Sequence, residues 1–478
     1  MAGVLVTPLR SRTGISRHIT PSPEKKSKPG NILFISPTKR AKHDHRSSST
    51  EESHRQDTIT PNFTFSLNSV RGAVPAELKI ALSRASEIVF DDFSLVENGG
   101  MRFLNGDRGR MILSLFPTAV AYRQQYPLLV IQVEVLPPKP WPIAIAGMPL
   151  FVTTSEKDMG FDHGKLGGAP GILWELKGKI NDNLRMIADY TIDHLSKVDI
   201  KVEELGWFFL FFRIKLATDV ERSKLPRAIA GLRCSYVVEV TDVVSRREAA
   251  LRRIIPQGEL RDDSTYYPNL RPGVMVSDGG SPHERLTTSG IAVRDCAGNP
   301  FVTVAKHGFP GGIGSLVHHP TTNGKVIGKI AAAIPNSDIG LMAPITDLRY
   351  SSENFGHVDE DGQLLNPGPT IAGIVPLDDS KVFWNWEVLM NNPFSGYCQG
   401  FFEGTGFSVD RGGQVSRMSF VYFGNGRDEE MGGSCGSPII LKENGKVLAF
   451  YQFLDKDGWA YGSMAGKLLE AGYSVIEL

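Results

Sequence analysis

The chain has 478 residues, 52 Lys/Arg against 52 Asp/Glu, a formal net charge of zero and an apolar content of 41%. That length suits about three domains, or two plus unstructured tails, with apolar residues enough for sizeable cores. Neutrality argues against a protein that coats nucleic acid, and four scattered cysteines (Cys234, Cys296, Cys398 and Cys435) are too few for a disulfide framework, so a reducing compartment is expected.

Residues 1–61 are rich in Ser, Pro, Lys, Arg and His and lack a periodic apolar pattern, so they are expected to be a disordered basic tail. The first sixty residues hold eleven Lys/Arg and five Asp/Glu, a net +6. Within them, Lys25-Lys26 and the Lys39, Arg40, Lys42 cluster are separated by twelve residues, a spacing that resembles a bipartite nuclear localisation signal and implies importin as a partner. The opening Met1 to Pro8 is broken by proline and followed by Arg10 and Arg12, which is not a secretory pattern. The expected location is therefore inside the cell, nuclear or cytoplasmic.

Residues 62–255 read as an α+β domain of unassigned function. Helical apolar spacing runs over Val74 to Val89 and again over Asp182 to Lys197, with Asn181 or Asp182 as a cap. Strand-like stretches are Leu128 to Leu136, Leu205 to Leu216 and Cys234 to Val244. The run from Leu205 to Phe212 is the most apolar, but Arg213 cuts it far short of the ~20 residues that span a bilayer, so no membrane segment is expected. His163 and His194 lack the Cys/His spacing of a metal site, and no metal or cofactor is expected.

A polar, Gly/Pro-rich stretch, 256–283, reads as a linker. From 284 to 478 short strands alternate with the turn signals Ala297-Gly298-Asn299, Thr322-Asn323-Gly324, Asp361-Gly362 and Asn444-Gly445, the rhythm of antiparallel barrels. Phe301 to Ala305 is an apolar strand leading into Lys306, His307 and Gly308. Asn336-Ser337-Asp338-Ile339-Gly340-Leu341 follows, and then Gly432-Gly433-Ser434-Cys435-Gly436-Ser437-Pro438. The chain closes on a short helical stretch, Ala465 to Ala471.

The last segment also spells the Gly-x-Ser-x-Gly elbow of α/β-hydrolases, but that fold needs a histidine after the serine, and the last histidine of the chain is His357. A papain-like order of Cys, His, Asn fails for the same reason. His318 and His319 are rival bases that do not end an apolar strand, and Asp347, Asp359 and Asp361 are rival acids.

The surviving order of His307, Asp338 and Cys435 resembles that of the chymotrypsin/trypsin-like proteases, with Cys435 where those enzymes carry serine, as viral chymotrypsin-like cysteine proteases do. The resemblance covers the C-terminal two-fifths of the chain and implies a double antiparallel β-barrel that cleaves peptide or protein substrates. It further implies Cys435 as nucleophile, His307 as base, Asp338 as the group orienting the imidazole, and an oxyanion hole from the backbone N–H groups of Gly433 and Cys435. Glu429, between Asp428 and Glu430, falls where the resemblance places the primary specificity pocket. Two departures stand out. Gly308 replaces the cystine partner that secreted relatives carry after the histidine, and Ser434 replaces the aspartate that pairs with a freed N-terminus, so activation by that ion pair is not expected. An inactive pseudoprotease that binds peptides or proteins as a scaffold is the alternative reading.

Overall fold

The computed structural model describes Ile32–Phe34, Glu87–Ile88 and residues 94–476, within which 98–99, 102–103, 105, 117, 126–127, 140, 157–169, 210, 227, 239–251, 254–263, 281–283, 346–348, 359–363, 367, 378–385, 411–412, 425–430 and 456–457 are not described. The chain divides into two compact units, Met1–Asn31 and Ile32–Leu478, and only the second contains described residues. Of the stretch read as a tail, Ile32–Phe34 alone is described, as a short strand. The basic clusters of Lys25, Lys26, Lys39, Arg40 and Lys42, and Glu429 with its acidic neighbours, lie outside the described residues. So do the helix read over Val74 to Val89, apart from Glu87–Ile88, which is strand, and the Asp361-Gly362 turn.

Helix α1 (Gly106–Ser114) precedes strands β1 (Ala119–Gln125), β2 (Leu128–Val133) and β3 (Met148–Thr153). β1 and β2 form an antiparallel hairpin, and β3 lies parallel to β2. Alternation along the strands gives this sheet two buried faces. Leu129 and Ile131 pack with Ile112 and Leu113 of α1, whereas Leu128, Val130 and Phe151 pack against Phe420, Tyr422 and Trp459 far down the chain.

Helix α2 spans Pro170–Ser196 and starts well before the cap expected at 181 or 182; proline is tolerated in a first turn, where its missing N–H is not needed. The apolar run read as one strand from Leu205 folds as two, β4 (Val202–Trp207) and β5 (Phe211–Leu216), because Phe209 takes a left-handed φ of 54° and reverses the chain. β6 (Leu232–Val238) adds parallel to β5. On one face Leu205, Trp207, Phe212 and Ile214 receive Ile180, Leu184, Ala188 and Leu195 of α2. On the other, Arg213 pairs with Asp455 at 3.6 Å, and the Tyr461 hydroxyl donates to Glu204 Oε1 at 3.2 Å.

Two closed six-stranded antiparallel barrels follow, the architecture that the turn rhythm and the family resemblance imply. The first contains β7 (Met275–Ser277), β8 (Arg285–Arg294), β9 (Pro300–Ala305), β10 (Leu316–His319), β11 (Lys325–Ala333) and β12 (Ile339–Pro344), and the β8–β9 pairing closes the ring. The second contains β13 (Trp386–Asn392), β14 (Gly396–Val409), β15 (Val415–Tyr422), β16 (Pro438–Leu441), β17 (Lys446–Leu454) and β18 (Trp459–Met464), closed by β14 with β15. A short helix, α3 (Gly466–Glu470), follows as its sequence predicts, and a two-residue strand, Ser474–Val475, then pairs with β8.

The domain divisions drawn from composition do not coincide with structural boundaries. β7 lies inside the stretch read as a linker, and Val274 and Val276 enter the core of the first barrel with Val302, Val304 and Met342. The boundary at 255 is also crossed, because β4 hydrogen-bonds along β14, with Gly206 opposite Gly406. Gly406 is demanded by this approach, since a Cβ there would stand 2.2 Å from the Leu205 carbonyl oxygen, whereas a Cβ on Gly206 would meet the Phe208 and Phe420 rings at 2.8 and 2.9 Å. Sheet β4–β5–β6 is thus an extension of the second barrel, and β1–β2–β3 covers that barrel's outer wall.

Candidate active site

The site lies between the barrels. β9 carries Val302 and Val304 into the first core and turns Thr303 the other way, where its Oγ1 accepts the Ile291 N–H at 2.8 Å. The strand ends at Ala305 and runs into a single 3-10 turn, Lys306–Gly308, which presents His307. Glycine follows the histidine for a steric reason: a Cβ on Gly308 would meet the Thr287 methyl at 2.4 Å.

Asp338 occupies the turn that enters β12, 5% exposed. Its backbone N–H donates to Ser463 Oγ at 3.0 Å, and its carbonyl accepts the Lys306 N–H at 2.9 Å. The carboxylate then grips His307 twice, with Oδ1 accepting the His307 backbone N–H at 3.0 Å and Oδ2 lying 2.5 Å from Nδ1. An ionised carboxylate only accepts, so Nδ1 carries a proton and Nε2 is the nitrogen left to face the second barrel.

Burial opposes a charged imidazole, but the Asp338 carboxylate, followed by the charge of the Cys435 sulfur, outweighs it and pushes the His307 pKa up to about 10. Cys435 therefore lies near enough to act on the ring electrostatically. It belongs to the loop between β15 and β16, and it is fully buried. Its thiol donates to the Gln452 carbonyl at 2.9 Å, and Nε2 of His307 makes no hydrogen bond of full geometry. Gln452 in turn donates through Nε2 to Ser463 Oγ at 2.5 Å, the same hydroxyl that receives the Asp338 N–H, so one serine ties the thiol's partner to the acid's turn.

The loop reaches the histidine strand through glycine. Gly436 has φ 91°, and a Cβ there would stand 2.4 Å from the Thr288 carbonyl oxygen and 2.9 Å from the Ala305 nitrogen, two residues before His307. Gly433 has φ 89°, again in the region that glycine enters at little cost. The Ser434 carbonyl accepts from both the N–H and the hydroxyl of Ser437, at 3.0 and 2.6 Å. Because the peptide is planar and trans, this turns the Cys435 N–H to the opposite side.

The structure thus brings together His307, Asp338, Gly433 and Cys435. Of the rival bases, His319 uses both ring nitrogens elsewhere, with Nδ1 2.6 Å from the Met275 carbonyl and Nε2 accepting the Tyr267 N–H at 2.9 Å. The rival acids Asp347, Asp359 and Asp361 lie outside the described residues. Sequence reasoning missed Thr288, Gln452 and Ser463, none of which sits in a motif. None of the four cysteines is in a disulfide. Among the described residues no cluster of His, Cys, Asp and Glu could hold a metal, and no helix is long and apolar enough to cross a membrane.

No family model matches the chain, and no curated protein matches it. Solved structures do. A Nocardiopsis protease is 14% identical, with 44% of this chain and 100% of that one covered at a TM-score of 0.33. A glutamic acid-specific serine protease is 16% identical over 43% of this chain and 100% of its own, at a TM-score of 0.31. The active form of the Rv3671c protease of M. tuberculosis is 14% identical over 43% of this chain and 82% of its own, at 0.28.

Proposed function

We propose that the double barrel is an endopeptidase acting by acyl transfer through a thioester on Cys435. The observation that carries this reading is the doubly anchored Asp338–His307 pair, set against a cysteine close enough to act on the imidazole. In the cycle, the imidazole, kept protonated at neutral pH by its raised pKa, already holds the proton that the thiol gives up, and the sulfur leaves the Gln452 carbonyl and attacks the scissile carbonyl. The resulting oxyanion is received by the N–H groups of Gly433 and Cys435, and the imidazolium returns its proton to the departing amine. Water, deprotonated by His307, then splits the thioester and restores the thiol. Asp338 holds the tautomer and orientation throughout.

One observation favours a second reading, that of a peptide- or protein-binding scaffold without turnover: Cys435 is sealed from solvent, with its thiol directed to the Gln452 carbonyl. A peptidyl chloromethyl ketone separates the two. For a peptidase, Cys435 is alkylated much faster than Cys234, Cys296 or Cys398, and His307→Ala removes the advantage. Equal, slow labelling of all four cysteines supports the scaffold.

A further inference from the structure

The residue before the nucleophile is where the site needs an anchor, and here that residue is a neutral serine. Ser434 is fully buried. Its Oγ lies 3.0 Å from Asn392 Oδ1 and 3.3 Å from Ser395 Oγ, both in the tight turn that joins β13 to β14. Asn392 is itself fixed. Its Oδ1 also accepts the backbone N–H groups of Phe394 and Ser395 at 3.0 Å each, and its Nδ2 donates to Ser395 Oγ at 2.8 Å. The same turn presses on the loop from another side, because the Phe394 ring lies 2.8 Å from where a Cβ of Gly433 would stand.

The first barrel supplies the opposing grip. Thr288, on β8 and fully buried, donates through Oγ1 to the Gly433 carbonyl at 3.0 Å and through its backbone N–H to the Cys435 carbonyl at 2.9 Å. The carbonyls of Gly433, Ser434 and Cys435 are therefore all occupied by donors outside the three residues: Thr288 takes two and Ser437 one. With planar peptides, three fixed carbonyls also fix the N–H groups of Ser434, Cys435 and Gly436. Nothing in this arrangement carries a charge.

We infer that Asn392, Ser395 and Thr288 are positioning residues that hold the nucleophile loop in its oxyanion-binding shape through an uncharged clamp on Ser434 and Gly433. The inference rests on the peptidase reading for its catalytic meaning, but the clamp makes a separate claim about the loop itself. Of the two oxyanion donors it fixes the N–H of Cys435 directly, and it leaves the reactivity of the sulfur to His307.

The test uses the full chain and two probes of Cys435. A peptide aldehyde forms a tetrahedral hemithioacetal whose oxygen needs the hole; iodoacetamide alkylates the sulfur by displacement and does not. Asn392→Ala and the milder Ser434→Ala are expected to weaken aldehyde binding about 10- to 100-fold, the scale of a misplaced oxyanion donor, with the iodoacetamide rate and its pH profile within about twofold of wild type. Loss of both reactivities in parallel, or of neither, overturns the inference. Amide hydrogen exchange gives a readout that needs no activity: the clamp predicts exchange faster by about tenfold or more in the 431–437 loop of Ser434→Ala, with the rest of the second barrel unchanged. Should wild-type protein bind no aldehyde, the peptidase reading fails, and exchange alone decides. Acceleration confined to the loop upholds the clamp, and no acceleration overturns it.

Discussion

Asp338→Asn is the perturbation whose outcome follows most directly from the geometry. The variant keeps the size of the side chain and an acceptor for Nδ1 of His307, and removes the charge. In the native protein burial pulls the imidazole pKa down, while Asp338, and after it Cys435, push it up to about 10 from an ordinary 6.5. That span corresponds to a preference for the protonated ring on the order of 5 kcal/mol, at 1.36 kcal/mol per unit. With the larger counterweight gone and burial unchanged, the pKa is expected to fall by at least about 2 units. The sign for stability follows by linkage. A raised folded-state pKa contributes stability that is full below 6.5, declines by up to about 1.4 kcal/mol per pH unit as the unfolded chain loses its proton, and is gone once pH passes about 10. Chemical denaturation from pH 6 to pH 10 should show that decline in wild type and a flatter profile in Asp338→Asn, and NMR titration of the ring should show the shift itself. A His307 that still titrates near 10 in the variant would refute the assignment of Asp338 as its main support.

Three further outcomes follow. Gly436→Ala forces a left-handed φ on a residue with a Cβ and drives that Cβ against Thr288 and Ala305, so it should cost about 2–5 kcal/mol in denaturant unfolding and abolish reaction at Cys435. Phe208→Ala removes a ring stacked on Phe211 and Phe420 and edge-on to Trp459, and about 3–5 kcal/mol lost from a single unfolding transition would show that the N-terminal sheets and the second barrel melt together. The spacing of Lys25, Lys26, Lys39, Arg40 and Lys42 predicts importin-dependent nuclear entry; alanine at all five should leave a fluorescent fusion in the cytoplasm, and unchanged localisation would dismiss the motif.

The candidate residues that the structure brings together each sit in a local pattern: His307 at the end of an apolar strand, Asp338 ahead of a buried strand, and Cys435 close to glycines on both sides. The turn signals likewise located the hairpins at Ala297-Gly298-Asn299, Thr322-Asn323-Gly324 and Asn444-Gly445. What the sequence hid is long-range. Thr288 meets Gly433 across 145 residues, Ser463 meets Asp338 across 125, and Asn392 meets Ser434 across 42, and a threonine, serine or asparagine in a strand announces no such partner. The domain boundaries misled for a related reason. Composition marks polar stretches, but β7 needs only three residues to complete a barrel, and β4 reads as a strand without revealing that its partner is β14. The apolar run from Leu205 was divided by a turn at Phe209, where an aromatic residue adopts a conformation that its type does not advertise.

Trapping of the covalent intermediate tests the central claim most directly. Full-length protein mixed with an activated peptide ester, quenched in acid and measured by intact and peptide mass spectrometry, should carry the acyl group as a thioester on Cys435, and should carry none in His307→Ala. An unmodified Cys435 in protein that hydrolyses the ester, or acylation unaffected by the loss of His307, would contradict the account.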